Sequence, residues 1–141
     1  MCTAPRVEDL DLTGVDIVAV DLETYDPELK TKGSGAVRGI GKVCGIGVCT
    51  GKQTCYFPIR HKNSDKLAPK ETWEKLNKVL FQNPNIKKVF HNAMYDVCWI
   101  RAETGLMPKG ELLDTMIAAS VIDENRTVSY THLTLPTNRE V

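Results

Sequence analysis

The segment VDIVAVDLETYD, residues 15–26, begins with apolar, β-branched residues and ends with acids. Ile17, Val18, Ala19 and Val20 are apolar at both parities, which predicts a central strand over residues 16–23, buried on both faces. Asp21 and Glu23 close it. Successive side chains of a strand alternate in direction, so the two acids share one face. Their backbone positions are roughly 6.6 Å apart at a rise of about 3.3 Å per residue. Two carboxylates side by side at the edge of a core repel each other and lose hydration. A divalent cation between them removes both penalties, and an all-oxygen donor pair suits Mg²⁺ or Mn²⁺ better than zinc. The tripeptide alone fits equally a loop start that makes salt bridges.

A second segment adds to the first. FHNAMYD, residues 90–96, follows the strand-like IKKV. NAMYDVCWIRAETG reads as a helix, with Asn92 as N-cap and Gly105 as its stop. Asn92 and Asp96 are four apart and share a helix face near the N-terminus. That end lies at the C-terminal edge of the preceding strand, where Asp21 and Glu23 also lie if the two strands are parallel neighbours. Three carboxylates then meet at one place. In isolation, Asp96 also fits a first-turn acid stabilised by the helix dipole.

The remaining elements follow from local pattern. KVCGIGVCT and KQTCYFPIR are β-like runs around Thr50-Gly51 and predict a hairpin with a tight turn. Residues 70–81 predict a helix, with Pro69 before its start and Trp73, Leu76 and Leu80 at helical spacing. Trp73 and Trp99 are expected in the core. ELLD predicts a last strand. Asp114 then caps a final helix, TMIAASVIDEN, apolar enough to be mostly buried. Residues 24–42 are rich in Gly and Lys/Arg and read as a loop. The order β, β, β, α, β, α, β, α predicts an α/β fold: a mixed sheet with an antiparallel opening followed by βα units.

Composition sets bounds. With 141 residues, 42% hydrophobic and 26% charged, the chain suits one globular domain. Eighteen Lys+Arg balance eighteen Asp+Glu, so any footprint for nucleic acid must be local. No apolar run is long enough to span a bilayer, and MCTAPRVEDLDL lacks a signal-peptide core, which reads as intracellular. The five cysteines form no C-x-x-C pair and read as small buried residues in a reducing compartment. GSGAVRGIGK fails the spacing of a nucleotide P-loop and has Val43 where Ser or Thr is required. Lys30, Lys32, Arg38 and Lys42 of the 24–42 segment could form a phosphate-contacting flap or a solvated loop. Arg60-His61-Lys62 and Lys87-Lys88 read as solvated surface.

Together these motifs resemble the DEDD superfamily of 3′→5′ exonucleases. DLET is similar to its first motif and HNAMYD to its second, N-x-x-x-D. LLDTMIAASVIDEN resembles the Asp-Thr helix of the proofreading domain of polymerase I-type (family A) DNA polymerases. DLETYDPELKTKGSG and HNAMYDVCWIRAETG resemble the phage branch of that family. The resemblance covers nearly all of residues 10–126 and implies a ribonuclease H-like fold. It also implies two-metal phosphodiester hydrolysis with Mg²⁺ or Mn²⁺, one ion activating water and the other stabilising the leaving 3′ oxygen. Asp21 would bridge both ions, Glu23 bind the first and Asp96 help hold the second. Thr24, Asn92 and Tyr95 match positions that touch the 3′-terminal nucleotides. Tyr95 fits packing on the sheet equally well, and Asn92 fits a plain cap. The implied partners are the single-stranded 3′ end of DNA and a polymerase domain in the same chain, in the cytoplasm of a bacterial or phage-infected cell. A stand-alone DEDD ribonuclease and a non-catalytic ribonuclease H-like binding domain are the alternatives.

Two departures accompany the resemblance. The family's fourth carboxylate, with a Tyr or His a few residues before it, has no counterpart before Thr127. Asp114 and Asp123 fall in the wrong motif. VSYTHLTLPTNREV, residues 128–141, breaks the periodicity, and its first ten residues are similar to one reading frame of a sequencing-library adapter. The expected organisation is therefore an exonuclease domain over residues 1–127, carrying the first two motifs. A non-native tail follows at 128–141, and the natural chain is expected to continue past Thr127.

Overall fold

A computed structural model describes residues 6–62 and 67–125; the 128–141 tail and Cys2 lie outside the described residues. Among the described residues, five strands form one mixed sheet: β1 (Ile17–Tyr25), β2 (Lys42–Cys49), β3 (Thr54–Pro58), β4 (Lys87–Phe90) and β5 (Leu112–Asp114), ordered β3-β2-β1-β4-β5. The β1–β2 and β2–β3 pairs are antiparallel, and the β1–β4 and β4–β5 pairs are parallel. This is the expected mixed α/β sheet, with the acid-bearing strand at its centre.

The hairpin forms with a longer connection than the expected Thr50-Gly51 turn. Thr50 N–H donates to the Gln53 carbonyl at 2.9 Å, and the Thr50 hydroxyl accepts from Gln53 N–H at 3.1 Å. The Thr50 side chain thus closes a four-residue loop.

Residues 24–42 are not all loop. Two single-turn helices lie within them, α1 (Leu29–Lys32) and α2 (Gly35–Arg38). Ser34 caps α2 by accepting from Ala36 N–H at 3.3 Å, and Asp26 accepts from Gly35 N–H at 3.0 Å. Glu28 gathers two of the segment's cations, pairing with Lys32 at 2.9 Å and Arg38 at 2.6 Å.

The expected helix over 70–81 appears as α3 (Pro69–Leu76), with Pro69 in its first turn, continuing as a π-helical turn at Asn77–Phe81. α4 (Ala93–Thr104) ends at Gly105, which adopts the left-handed conformation (φ 77°), as a helix stop requires. α3, the π turn and α4 bury Trp73, Leu76, Leu80, Phe81, Val97, Trp99 and Ile100 in one core with Val18, Val20, Leu22, Ile46 and Phe57 of the sheet. Both tryptophans lie in the core, as expected.

Three expectations of burial need correction. β1 is not buried on both faces: Val18, Val20 and Leu22 face the core, whereas Ile17, Ala19 and Asp21 are exposed. Apolarity at both parities misled because the helices above pack on one face only among the described residues. α5 (Thr115–Ile122) is capped by Asp114 as expected, but it buries none of its residues. Ile117, Val121 and Ile122 are 60–86% exposed, since no described element packs extensively against them. The third concerns basic residues read as surface. Lys88 is fully buried, and its ammonium donates to the Asn83 and Lys109 carbonyls at 2.6 Å each. Arg60 donates to Glu103 through both guanidinium nitrogens (2.7 and 2.9 Å) and to the Val43 carbonyl at 2.8 Å. Cys44 and Cys55 are buried, and Cys49 and Cys98 half-buried.

Among the described residues, no helix is long and apolar enough to cross a membrane.

Candidate active site

The register of β1 against β4 brings the two acidic motifs together. Ala19 stands beside Val89. Two residues on, Asp21 is level with His91, at the turn into the helix that carries Asp96. Asn92 makes that turn with a left-handed backbone (φ 67°), the sole non-glycine residue with positive φ among the described residues. Such a conformation costs free energy and persists where the surroundings impose it. Asn92 occupies the N-cap position, but its side chain does not cap. The capping acceptor comes from elsewhere: the Asp114 carboxylate, at the end of β5, accepts from Asn92 N–H at 3.0 Å and Ala93 N–H at 2.9 Å. It also accepts from Met116 N–H at 2.9 Å. One carboxylate thus anchors the start of both α4 and α5. The sequence pattern assigns Asp114 to α5 alone; its role on α4 depends on the β4–β5 pairing, which local pattern does not reveal.

On the other side of β1, the ladder to β2 shifts register just after the acids. Glu23 pairs with Gly45 but Thr24 with Val43, a bulge that re-aims the strand end. The Thr24 hydroxyl then lies 2.9 Å from the Tyr95 hydroxyl, and Tyr95 donates to Asp26 at 3.1 Å. Tyr95 also meets Trp99 edge-on, with ring centroids 6.4 Å apart. Thr24 and Tyr95, both matched to substrate-touching positions by resemblance, therefore bond to each other and tie β1 to α4. Asp26, which no sequence motif singles out, links them to α2 through Gly35.

The electrostatics of the acids are shared. Asp96 is 3% exposed. Burial, then the charges of Asp21, Asp114 and Glu23, push its carboxyl up to about 8. Asp21 is exposed along the strand, yet the protein crowded around its carboxyl raises it above the usual range, opposed by the charge of His91. His91 is held by Thr115 at 2.9 Å. For Asp114, burial alone would raise the carboxyl, but the N–H groups of Ala93, Met116, Asn92 and Ile117 outweigh it and hold it low.

A buried carboxyl raised by the charges of Asp21, Asp114 and Glu23 lies in a region short of positive charge. Asp96 makes no salt bridge among the described residues. Its donor set with Asp21 and Glu23 is wholly carboxylate oxygen, which fits a hard divalent cation. As the side chains stand, no group of three or more His, Cys, Asp or Glu among the described residues is arranged to hold a metal ion.

A sequence profile of the 3′-5′ exonuclease family matches residues 9–136. The chain belongs to this family. The exosome complex exonuclease RRP6 of Saccharomyces cerevisiae is 34% identical to it over 122 residues, 85% of this chain. The match spans only 14% of that relative's length. Among solved structures, Trypanosoma brucei RNase D in complex with a U12 RNA superposes with a TM-score of 0.61 at 20% identity, covering 79% of this chain and 34% of that one. Brucella melitensis NrnC with bound Mg²⁺ gives 0.58 at 22% identity, covering 89% and 52%. The fold is that of ribonuclease H-like 3′-5′ exonucleases. The family is of the DEDD type; neither the polymerase nor the phage branch implied by the resemblance emerges from these relatives.

Proposed function

We propose that this chain carries part of the active site of a metal-dependent 3′→5′ exonuclease acting on single-stranded nucleic acid, with Asp21, Glu23 and Asp96 as the metal-binding acids. The observation that carries this is the buried Asp96 carboxyl, pushed up by its burial and by the charges of Asp21, Asp114 and Glu23. Three acids under mutual repulsion form a site that gains by taking up cations.

Divalent cations bound there supply the positive charge that phosphodiester hydrolysis needs at the attacked phosphate and the departing 3′ oxygen. The chain's own residues do the positioning. β1 fixes Asp21 and Glu23 on one edge, and the α4 start, anchored by Asp114, delivers Asp96 to it. Thr24 and Tyr95 present hydroxyls beside that edge to a 3′-terminal nucleotide, and Asn92 shapes the turn next to it. The family's fourth carboxylate is assigned to no residue of this sequence, so the 141-residue chain is expected to be a poor nuclease.

Two substrate readings stand. Proofreading of a DNA 3′ end, beside a polymerase domain in the same chain, follows from the resemblance of LLDTMIAASVIDEN to the Asp-Thr helix of polymerase I-type proofreading domains. Processing of an RNA 3′ end is favoured by the likeness to Trypanosoma brucei RNase D, which was solved with a U12 RNA. The experiment uses 5′-labelled DNA and RNA single strands with Mg²⁺ or Mn²⁺. It compares the 141-residue chain with one extended by its natural downstream sequence. Stepwise shortening from the 3′ end by the extended form, abolished by Asp21→Ala, is the expected result. The strand that is shortened decides between the readings. No shortening of either strand by the extended form counts against an exonuclease.

A further inference from the structure

A second feature lies beside the acids on the open face of the sheet. β2 places Gly45 opposite Glu23 and Gly47 opposite Asp21, and β3 pairs Tyr56 with Gly47. Two glycines thus stand between the acids of β1 and the phenol of β3. The Tyr56 ring uses the gap. A Cβ at Gly45 would overlap the Tyr56 hydroxyl, whereas one at Gly47 would meet only Asp21, at 3.5 Å. The ring therefore lies along β2, and its hydroxyl sits over the residue opposite Glu23. That hydroxyl is hydrogen-bonded to Nε2 of His61, with the ring centroids 5.7 Å apart. Both side chains are half-buried. Burial, then the charges of Glu23, Cys44 and Asp21, hold the phenol well above its usual range, so it remains a neutral donor.

A phenol has one hydrogen to give and lone pairs with which to accept. Were Tyr56 to donate to His61, its lone pairs would face the acids, acceptor against acceptor. The reverse polarity is favourable: His61 Nε2–H donates to the Tyr56 oxygen, and the Tyr56 hydrogen turns toward the acids. We infer that Tyr56, backed by His61, is a positioning residue that donates a hydrogen bond to the Glu23 carboxylate and fixes its orientation toward a divalent cation. The inference rests on the reading of the acids as cation ligands. It gives a reason for glycine at position 45, where any side chain would displace the phenol.

The test has two arms on the 141-residue chain. Nitrogen-15 NMR of the His61 ring reads the polarity without metal. Protonated Nε2 is expected; a ring protonated at Nδ1 alone means that Tyr56 donates to His61, and overturns the inference. Calorimetric titration with Mn²⁺ reads the consequence. Tyr56→Phe should weaken binding roughly 10-fold, the low end for residues that orient a ligand, with an unchanged circular dichroism spectrum. His61→Gln keeps an N–H donor and should bind close to wild type, whereas His61→Leu should match Tyr56→Phe. Equal Mn²⁺ affinity in wild type, Tyr56→Phe and His61→Leu overturns the inference. Should Tyr56→Phe fail to fold, the two His61 variants decide. Undiminished binding by Asp21→Asn, or none by the wild type, overturns instead the reading of the acids.

Discussion

The Asp114 carboxylate accepts a hydrogen bond from Ala93 N–H at 2.9 Å, across β4–β5, and so holds the first turn of the helix that carries Asp96. Three backbone donors from two helix starts converge on this one side chain. Loss of a single N-cap acceptor costs about 0.5–2 kcal/mol, and here two helices lose theirs together. Asp114→Ala is expected to destabilise the chain by about 1–3 kcal/mol, read as a lower midpoint in urea. A midpoint equal to wild type would mean that water replaces the carboxylate at both helix starts.

Asp96 makes stability depend on pH in the direction opposite to an ordinary salt-bridged acid. Its folded-state value, about 8, lies above the ordinary 3.8, so the folded state binds the proton more tightly than the unfolded state. The resulting stabilisation is complete below about pH 4 and is lost as pH rises through about 8. Urea unfolding at pH 5, 7 and 9 should show falling stability, and Asp96→Asn should flatten that fall. A profile unchanged by Asp96→Asn would show that the carboxyl ionises freely in the folded chain.

How far these features were legible follows from their range in sequence. The strand at 17–25, the helix at 93–104 and the acids on them lie in local periodicity, and the structure forms both elements. The Asp114 anchor and the Thr24–Tyr95 bond depend on which strands pair and where the ladder shifts, and no local pattern encodes either. The expectation of buried faces failed for β1 and α5 for one reason. Apolar content shows that a surface can be buried, but not that another element covers it. Lys88 failed in the converse way. A lysine reads as surface until two carbonyls, Asn83 and Lys109, are brought to its ammonium.

The basic residues of the 24–42 segment should not contribute equally to strand binding. Lys32 and Arg38 are engaged by Glu28, whereas Lys30 is exposed and Lys42 opens β2. Neutralising Lys30 and Lys42 is expected to lower the salt dependence of single-strand binding by about 0.7 for each phosphate that is no longer neutralised. Neutralising Lys32 and Arg38 should change it less. An unchanged slope with all four neutralised would remove the segment from the binding path.

The Arg60–Glu103 pair joins the β3 end to α4, and Glu103 also accepts from Val43 N–H at 3.1 Å. Both side chains are well shielded, 26% and 12% exposed. Glu103→Ala should cost about 1–3 kcal/mol, because the Arg60 guanidinium and the Val43 amide lose a charged acceptor together. Thermal denaturation of Arg60→Ala, Glu103→Ala and the double variant checks this. Additive losses would show that the two residues act separately.

The central claim is that Asp21, Glu23 and Asp96 form one cation site. Mn²⁺ added to the isotope-labelled chain broadens NMR signals of nuclei close to where it binds. Broadening centred on residues 21, 23 and 96 together, and absent from Asp21→Asn, is the predicted result. Broadening confined to acids elsewhere, or centred on β1 while the start of α4 stays sharp, would contradict the account.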